Sequence, residues 1–346
     1  MDVTRNAHHK LQNWSFGVFA FLMLIVFSVF LANREHAIGI DTHNYVQNFE
    51  KIVFCSCIDT TYFEIGFQTF TWLISLVTDN TTIYLFSIGF LLVFSFFIVI
   101  KLIAKFLFKE TNEKLYIYFV IVSFIALLSS NFFLTAGING IRQGLAAPLL
   151  FAGFIYFTKH KYLMALIFYV IACSFHLSSL LYVFFSFILF FNFNTLLFLS
   201  LFSFLSYFLG LTELFIKFTS EIVGLPLYDF VKNYSDTGMY EGFNLGFFAY
   251  SAIPLFLVIG IKVMFKISEA EKQLFSIYFA LILPYLILGF GGYTNRYAFT
   301  AWLFIPLFIA FFVTLRVKRE KYFLPGSIFI LATMVLFFNF RLVGIV

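Results

Sequence analysis

Long apolar runs alternate with short charged clusters along the whole chain. Each run approaches or reaches the length that crosses a bilayer as a helix, about 17 to 25 residues. The runs do not alternate apolar and polar positions, as the strands of a membrane barrel would. A backbone in lipid must satisfy its own hydrogen bonds, which only helices or a closed barrel can do. With the barrel disfavoured, the pattern leaves a bundle of helices. The pattern predicts an all-α polytopic membrane protein.

The apolar runs predict about eleven transmembrane helices. They cover residues 14–31, 82–108, 115–135, 140–157, 162–176, 178–191, 195–217, 245–265, 273–290, 297–315 and 323–340. The first run resembles a signal peptide but lacks a small-x-small cleavage pattern, so we expect it to remain as a helix. Residues 1–346 are then expected to form a single transmembrane domain.

The distribution of basic residues predicts the orientation. Residues 162–191 could form one long helix or two short helices that meet at Ser174–His176. With two helices, most of the 22 lysine and arginine residues lie on the side of the N-terminus, which the positive-inside rule places in the cytoplasm. With one helix, the clusters at 262–272 and 316–321 would lie outside, so two helices are favoured. The loops 32–81 and 218–244 then face outward.

A shorter and more polar segment, residues 62–77, lies inside the first of these loops. Glu64, Gln68, Thr71 and Ser75 recur there at helical spacing, with apolar residues between them. This pattern predicts an amphipathic helix in the outer membrane interface.

Composition agrees with lipid as the main solvent, since 62% of the residues are hydrophobic and 11% are charged. A soluble domain has about 25% charged residues. The net charge of +5 comes largely from the basic clusters on the predicted cytoplasmic side. We expect no nucleic-acid partner. The cysteines (Cys55, Cys57, Cys173) lack metal-site spacing, and residues two apart are poorly placed to bridge each other. Without HExxH, Walker, GxSxG or CxxC motifs, no metal or cofactor is predicted.

Two residues are candidate bases. Asp41 lies in the polar stretch Gly39–Tyr45, where its carboxylate could accept a proton or bind a hydroxyl-rich ligand. It could also cap a helix that starts at Thr42, and the two roles are compatible. His176 lies at the predicted break between two short helices, where it is either a second candidate base or a structural histidine.

Two arginines begin helices on the predicted outer side: Arg142 follows Gly137–Gly140, and Arg296 follows Gly291–Gly292. An arginine at the bilayer centre costs about 2.5 to 3.5 kcal/mol, so a paired or functional role is expected, with snorkelling to the interface as the alternative. A helix N-terminus and a guanidinium both favour a shared anion, for which a phosphate fits better than a structural carboxylate. Together the two arginines could hold a diphosphate.

These residues resemble the EpsG family of bacterial exopolysaccharide proteins, within the wider group of Wzy-type O-antigen and capsule polymerases. The resemblance spans about residues 14 to 315, and its most specific part runs from Arg142-Gln143 to His176-x-Ser178. It rests on Asp41-x-x-x-Tyr45, Glu64-x-Gly66, Ile141-Arg142-Gln143-Gly144-Leu145-Ala146, Lys159-His160-Lys161, Phe175-His176-x-Ser178-Ser179 and Asn295-Arg296-Tyr297.

The resemblance implies a fold similar to GT-C-type glycosyltransferases, in the bacterial inner membrane with the active site outside. It implies polymerisation of undecaprenyl-diphosphate-linked oligosaccharide repeat units into O-antigen, capsule or exopolysaccharide, with a chain-length regulator and a flippase as further partners. Asp41 or His176 would activate the acceptor hydroxyl. The implied substrate-binding residues are Arg142, Arg296, Gln143, Tyr45, Glu64 and Asn295. A lipid-linked oligosaccharide flippase, or an O-antigen ligase or acyltransferase, remains an alternative.

Overall fold

The computed structural model describes residues 17–316 except 19, 35–38, 40, 59, 109–112, 234–241 and 293. Within these residues the chain forms helices and no strands, which confirms the all-α prediction. The predicted last helix, 323–340, and the first positions of the predicted first helix, 14–16, lie outside the described residues. So do the basic clusters 1–13 and 317–321.

The described helices are numbered α1 to α15 in chain order, and a short 3-10 helix, Phe187–Phe190, follows α9. They are α1 (Ala20–Ala32), α2 (Thr42–Cys55), α3 (Ile65–Ser75), α4 (Thr81–Phe108), α5 (Glu113–Leu128), α6 (Asn131–Ile138), α7 (Ile141–Thr158), α8 (Tyr162–Phe175), α9 (Ser179–Ser186), α10 (Phe193–Phe208), α11 (Leu211–Val223), α12 (Leu227–Asn233), α13 (Leu245–Met264), α14 (Glu269–Leu288) and α15 (Thr294–Arg316).

Several of these helices can cross a membrane. By length and composition α4, α7, α13, α14 and α15 qualify, which makes 5 candidate spans among the described residues. The number rises to 7 if each of the broken pairs α5–α6 and α10–α11 is one span. The helices α1, α8 and α9 are apolar but shorter. The multi-pass character is therefore supported, and the number eleven stays a prediction.

Two predicted helices are interrupted. The run 195–217 is wrong as a single straight helix, because Gly210 adopts a φ of 71° and α11 leaves α10 at a bend of 88°. Glycine reaches this left-handed conformation without the penalty that a Cβ would bring. The run 115–135 is also wrong as one helix, since α5 ends before Ser129 and α6 begins after Ser130. The Ser129 hydroxyl bonds back to the carbonyl of Ile125 at 2.6 Å, a contact that often bends helices.

The predicted break within 162–191 is present, because α8 ends at Phe175 and α9 begins at Ser179.

The chain packs as two compact units. The first unit comprises Met1–Ile98, Thr135–Leu145 and Ser174–His176, and the second comprises Val99–Leu134, Ala146–Cys173 and Leu177–Val346. The single transmembrane domain stays a prediction.

Close backbone contacts hold the first unit together. Gly66 of α3 lies against Ser174, where an added Cβ would overlap the serine hydroxyl and lie 2.8 Å from its carbonyl carbon. Gly144 of α7 lies against α6, where a Cβ would approach the Cβ of Ala136 to 2.7 Å. These two contacts place the start of α3 beside residues 174–176 and the start of α7 beside α6.

The helix predicted within residues 62–77 is confirmed as α3. Its polar side chains Gln68 and Thr71 are fully buried, whereas Ile65 and Leu73 are about half exposed. The polar face therefore packs into the first unit and the apolar face points away from it. This polarity suits apolar surroundings, where polar groups need partners inside the protein.

The core of the second unit is formed by α14 and α15, most of whose described side chains are buried. Trp302 donates from Nε1 to the hydroxyl of Ser251 at 2.8 Å, and the Tyr278 hydroxyl donates to the carbonyl of Ser251 at 2.5 Å. These bonds satisfy the polar atoms of two large aromatic side chains in an apolar core.

Candidate active site

Three segments of the first unit bring Glu64, Arg142 and His176 together. Arg142 Nη1 donates to Glu64 Oε2 at 2.5 Å, and His176 Nδ1 lies 3.2 Å from Glu64 Oε1. The two oxygens of one carboxylate therefore serve two different partners. The side chains are 18% to 25% exposed, so the cluster is largely buried but open to a ligand.

Each member of the cluster lies at the end of a helix. Glu64 precedes α3 in an extended conformation, and its side chain does not cap α3 but reaches across the unit. Arg142 is the second residue of α7, and His176 follows the last residue of α8. Gly66 lets the start of α3 approach Ser174 closely enough for Glu64 to reach His176.

Two aromatic rings orient the guanidinium. The guanidinium carbon of Arg142 lies 4.7 Å from the centre of the Phe63 ring, and the Tyr45 ring stacks on Phe63 at 5.1 Å. Arg142 Nε donates a long hydrogen bond of 3.5 Å to the Tyr45 hydroxyl. Burial raises the pKa of Tyr45 above its ordinary value, although the charge of Arg142 opposes this, so the hydroxyl stays protonated at neutral pH.

The expectation that Arg142 favours a phosphate over a structural carboxylate stays a prediction, and the structure adds a carboxylate as a partner of this arginine. Glu64 supplies a carboxylate, because α3 and α7 pack so that its side chain reaches the arginine from 78 positions earlier in the sequence. The described contacts engage Nη1 and Nε of Arg142. The hydrogens on Nη2 therefore remain for an anionic ligand.

Asp41 does not join the cluster through any described hydrogen bond. It occupies the position before α2, but its side chain caps no backbone amide, so the capping interpretation is wrong. The reason is its helix-like backbone, with ψ at −14°, whereas a capping residue is usually extended. Only its backbone carbonyl bonds the helix, by accepting from the amide of Tyr45 at 3.2 Å. A role of Asp41 as base stays a prediction.

The other predicted substrate-binding residues lie at two helix starts. Gln143 is buried beside Arg142 in α7. Asn295 and Arg296 lie in the first turn of α15, in the second unit, and Arg296 is exposed. The backbone carbonyl of Arg296 accepts from the Tyr182 hydroxyl at 3.3 Å. The placement of both arginines in first helical turns is confirmed, and their joint binding of a diphosphate stays a prediction.

The role of Arg34, which lies just beyond α1, was not predicted from the sequence. Its Nη1 donates to the carbonyl of Leu31 at 2.6 Å and its Nη2 to the Thr42 hydroxyl at 3.1 Å. The Thr42 hydroxyl donates in turn to the carbonyl of Ile138 at 3.1 Å. Burial lowers the pKa of Arg34 to about 10, which still leaves it charged at neutral pH. Arg34 thus fixes the start of α2, the helix that carries Tyr45.

The expectation that Cys55 and Cys57 are poorly placed to bridge each other is wrong as well. Cys55 and Cys57 form a disulfide with their Cα atoms 5.1 Å apart, because Ser56 between them turns the chain with a φ of 51°. Cys173 is free. Among the residues that the structure describes, no group of three or more His, Cys, Asp or Glu side chains could hold a metal ion.

The model of the EpsG family matches residues 18–345. The chain belongs to the EpsG family. The resemblance seen in the sequence is thereby confirmed, and membership of the EpsG family indicates a role in polysaccharide biosynthesis. No curated protein and no solved structure matches the chain significantly. The match includes all three members of the Glu64–Arg142–His176 cluster.

The ion pair between Glu64 and Arg142 predicts a measurable coupling. In a double-mutant cycle with Glu64→Gln and Arg142→Gln, we expect a coupling of about 1 to 3 kcal/mol in the free energy of unfolding, because both side chains are largely buried. The measurement is reversible unfolding of the purified protein in detergent, followed by circular dichroism.

A second ion pair in the same chain provides the control. Lys272 and Glu269 approach to 2.6 Å, but Glu269 is 81% exposed. The corresponding cycle should give less than about 0.5 kcal/mol. Equal couplings in the two cycles would contradict a structural role for the carboxylate of Glu64.

Proposed function

We propose that this EpsG family member polymerises undecaprenyl-diphosphate-linked oligosaccharide repeat units into O-antigen, capsule or exopolysaccharide. Family membership supports polysaccharide synthesis, and the apolar helices suit a substrate whose lipid stays in the bilayer. The observation that carries the proposal is the carboxylate of Glu64 shared between Arg142 and His176. It holds a cation suited to a diphosphate beside an imidazole suited to accept a proton.

His176 is the proposed base. If Nδ1 carries the proton and donates to Glu64 Oε1, then Nε2 is unprotonated and can accept a proton from a sugar hydroxyl. A carboxylate orients a catalytic histidine by the same means in the Ser-His-Asp triad. Asp41 has no comparable described partner, so geometry supports His176 as the base.

The reaction follows from these positions. The oxygen of the acceptor hydroxyl attacks the anomeric carbon of the donor sugar and forms the new glycosidic bond, while its proton passes to Nε2 of His176. The bond from the anomeric carbon to the diphosphate oxygen breaks, and its electron pair leaves with undecaprenyl diphosphate. The Nη2 hydrogens of Arg142 stabilise the charge that develops on this leaving group. Arg296 stays a predicted ligand of the diphosphate.

The proposal places the cluster on the outer face of the bacterial plasma membrane, with the N-terminus in the cytoplasm. The disulfide between Cys55 and Cys57 supports an outward position for residues 32–81, because disulfides persist in oxidising compartments. A GT-C-like arrangement, and cooperation with a flippase and a chain-length regulator, belong to the same proposal.

This orientation predicts the outcome of reporter fusions. Fusions at residues 80 and 230 should report an exterior location, and a fusion at residue 105 a cytoplasmic one, because the basic clusters follow the positive-inside rule. The measurement is the activity of a periplasmic reporter compared with a cytoplasmic one. A cytoplasmic signal at residue 230 would overturn the assignment of 162–191 as two crossing helices.

Substitution of the two candidate bases tests the mechanism. His176→Ala should lower the polymerisation rate by about 100- to 10,000-fold, the usual contribution of a positioned base. Asp41→Asn should retain most of the activity. The assay combines purified lipid-linked repeat units with protein in nanodiscs and measures glycan length, with membrane accumulation checked by immunoblotting.

Inactive Asp41→Asn protein together with active His176→Ala protein would reverse the assignment of the base.

The phenotype of a gene deletion separates the alternative functions. If the deletion strain still transfers single repeat units to the final acceptor but makes no long chains, the protein is a polymerase. Loss of all surface glycan would instead favour a flippase or a ligase.

A further inference from the structure

A pocket of about 420 Å³ lies in the first unit next to the candidate active site. Its volume falls in the range of about 300 to 1,000 Å³ that is usual for sites of small ligands. One face of α2 forms one wall, and the residues before α3 form the other. The lining residues are Asn44, Gln47, Asn48, Lys51, Tyr62 and Phe63.

The chemistry of the lining suits a sugar. Three of the lining side chains are carboxamides, each of which offers both hydrogen-bond donors and an acceptor, as sugar hydroxyls require. The opposite wall is aromatic, and Tyr62 is 72% exposed. The edge of a pyranose ring carries hydroxyl groups and its face carries C–H groups, which can pack on an aromatic ring. Among the described lining residues there is no carboxylate and one cation, Lys51, whose ammonium lies 5.1 Å from the centre of the Tyr62 ring. A cationic ligand is therefore disfavoured.

One of the carboxamides is held in place by its own partner. Asn48 and Gln68 exchange two hydrogen bonds of 3.0 Å each, and both side chains are buried. This pair fixes the floor of the pocket before a ligand arrives, which reduces the ordering cost of binding. Asn44 and Gln47 are exposed at the pocket. The amide nitrogen of Gln47 lies 2.7 Å from Nε2 of His43, and its carbonyl oxygen can accept from a ligand.

The pocket adjoins the candidate active site through Phe63. The same ring lines the pocket and lies 4.7 Å from the guanidinium carbon of Arg142. A sugar held against Tyr62 and Phe63 would therefore be next to the side chain proposed to bind the diphosphate. This distance would let the pocket hold the sugar of one lipid-linked molecule while Arg142 binds its diphosphate.

We propose that the pocket is a saccharide subsite that holds a sugar of the repeat unit. Asn44 and Gln47 hydrogen-bond its hydroxyls, and Tyr62 packs against its face. The ligand is a pyranose without positive charge within the oligosaccharide, and its identity as part of a repeat unit rests on the proposed function.

The test measures binding without the reaction. The probe is the lipid-free repeat-unit oligosaccharide, released by mild acid from the host's undecaprenyl-diphosphate precursor. Its binding to the full-length protein in nanodiscs is followed by saturation-transfer NMR and calorimetry. Gln47→Ala and Tyr62→Ala should each weaken binding by about tenfold or more, since each removes a direct contact.

Two residues of the same helix provide matched controls. Glu50→Ala removes a polar side chain and Phe54→Ala an aromatic one, and both residues are exposed on α2 outside the pocket. These variants should bind the oligosaccharide as the unaltered protein does. Equal binding by the pocket variants and the controls, or no detectable binding by the unaltered protein, would overturn the subsite.

Polymerisation kinetics on the same proteins distinguish the two proposals. The pocket variants should raise KM for the lipid-linked repeat unit and largely retain kcat, because they remove binding and not the base. If the unaltered protein polymerises and the pocket variants keep its KM, the subsite is wrong and the proposed function stands. If the unaltered protein binds the oligosaccharide but does not polymerise lipid-linked repeats, the proposed function is wrong and the subsite stands.

Discussion

The carboxylate of Glu64 is the interaction on which the candidate site depends. It neutralises Arg142 through one oxygen and contacts the imidazole of His176 through the other. A largely buried guanidinium without a counter-charge would be costly, because it loses hydration that nothing replaces. The carboxylate therefore keeps the arginine in the site before substrate arrives. Among the described residues Nη2 of Arg142 makes no hydrogen bond. A diphosphate that binds Nη2 would meet a guanidinium that Glu64 already holds in place, so binding would not have to order this side chain.

Packing of the backbone makes this interaction possible. Gly66 lets α3 lie against Ser174, and Gly144 lets α7 lie against α6, so Glu64, His176 and Arg142 converge. The Phe63 ring then lies against the guanidinium of Arg142 and also lines the pocket proposed as a saccharide subsite. The proposed diphosphate ligand and the proposed sugar would therefore lie beside the same ring.

Much of this arrangement could be predicted from local patterns. Hydropathy and spacing locate α3, the break before α9 and the first-turn positions of Arg142 and Arg296. The partner of Arg142 could not be predicted, because the choice of Glu64 depends on packing between segments that are 78 positions apart. The bend at Gly210 was also hidden, since apolar residues continue on both sides of it. The turn at Ser56, which joins two cysteines, needs a backbone conformation that spacing does not reveal.

The most direct test of the account is the tautomer of His176. Protein labelled with ¹⁵N-histidine gives separate Nδ1 and Nε2 resonances, and the difference from His176→Ala assigns those of His176 among the 6 histidines. At a pH where the ring is neutral, we expect the proton on Nδ1 and none on Nε2, and a loss of this preference in Glu64→Gln, because the carboxylate selects the tautomer. A proton on Nε2 in the unaltered protein, or the same spectrum in Glu64→Gln, would contradict the account.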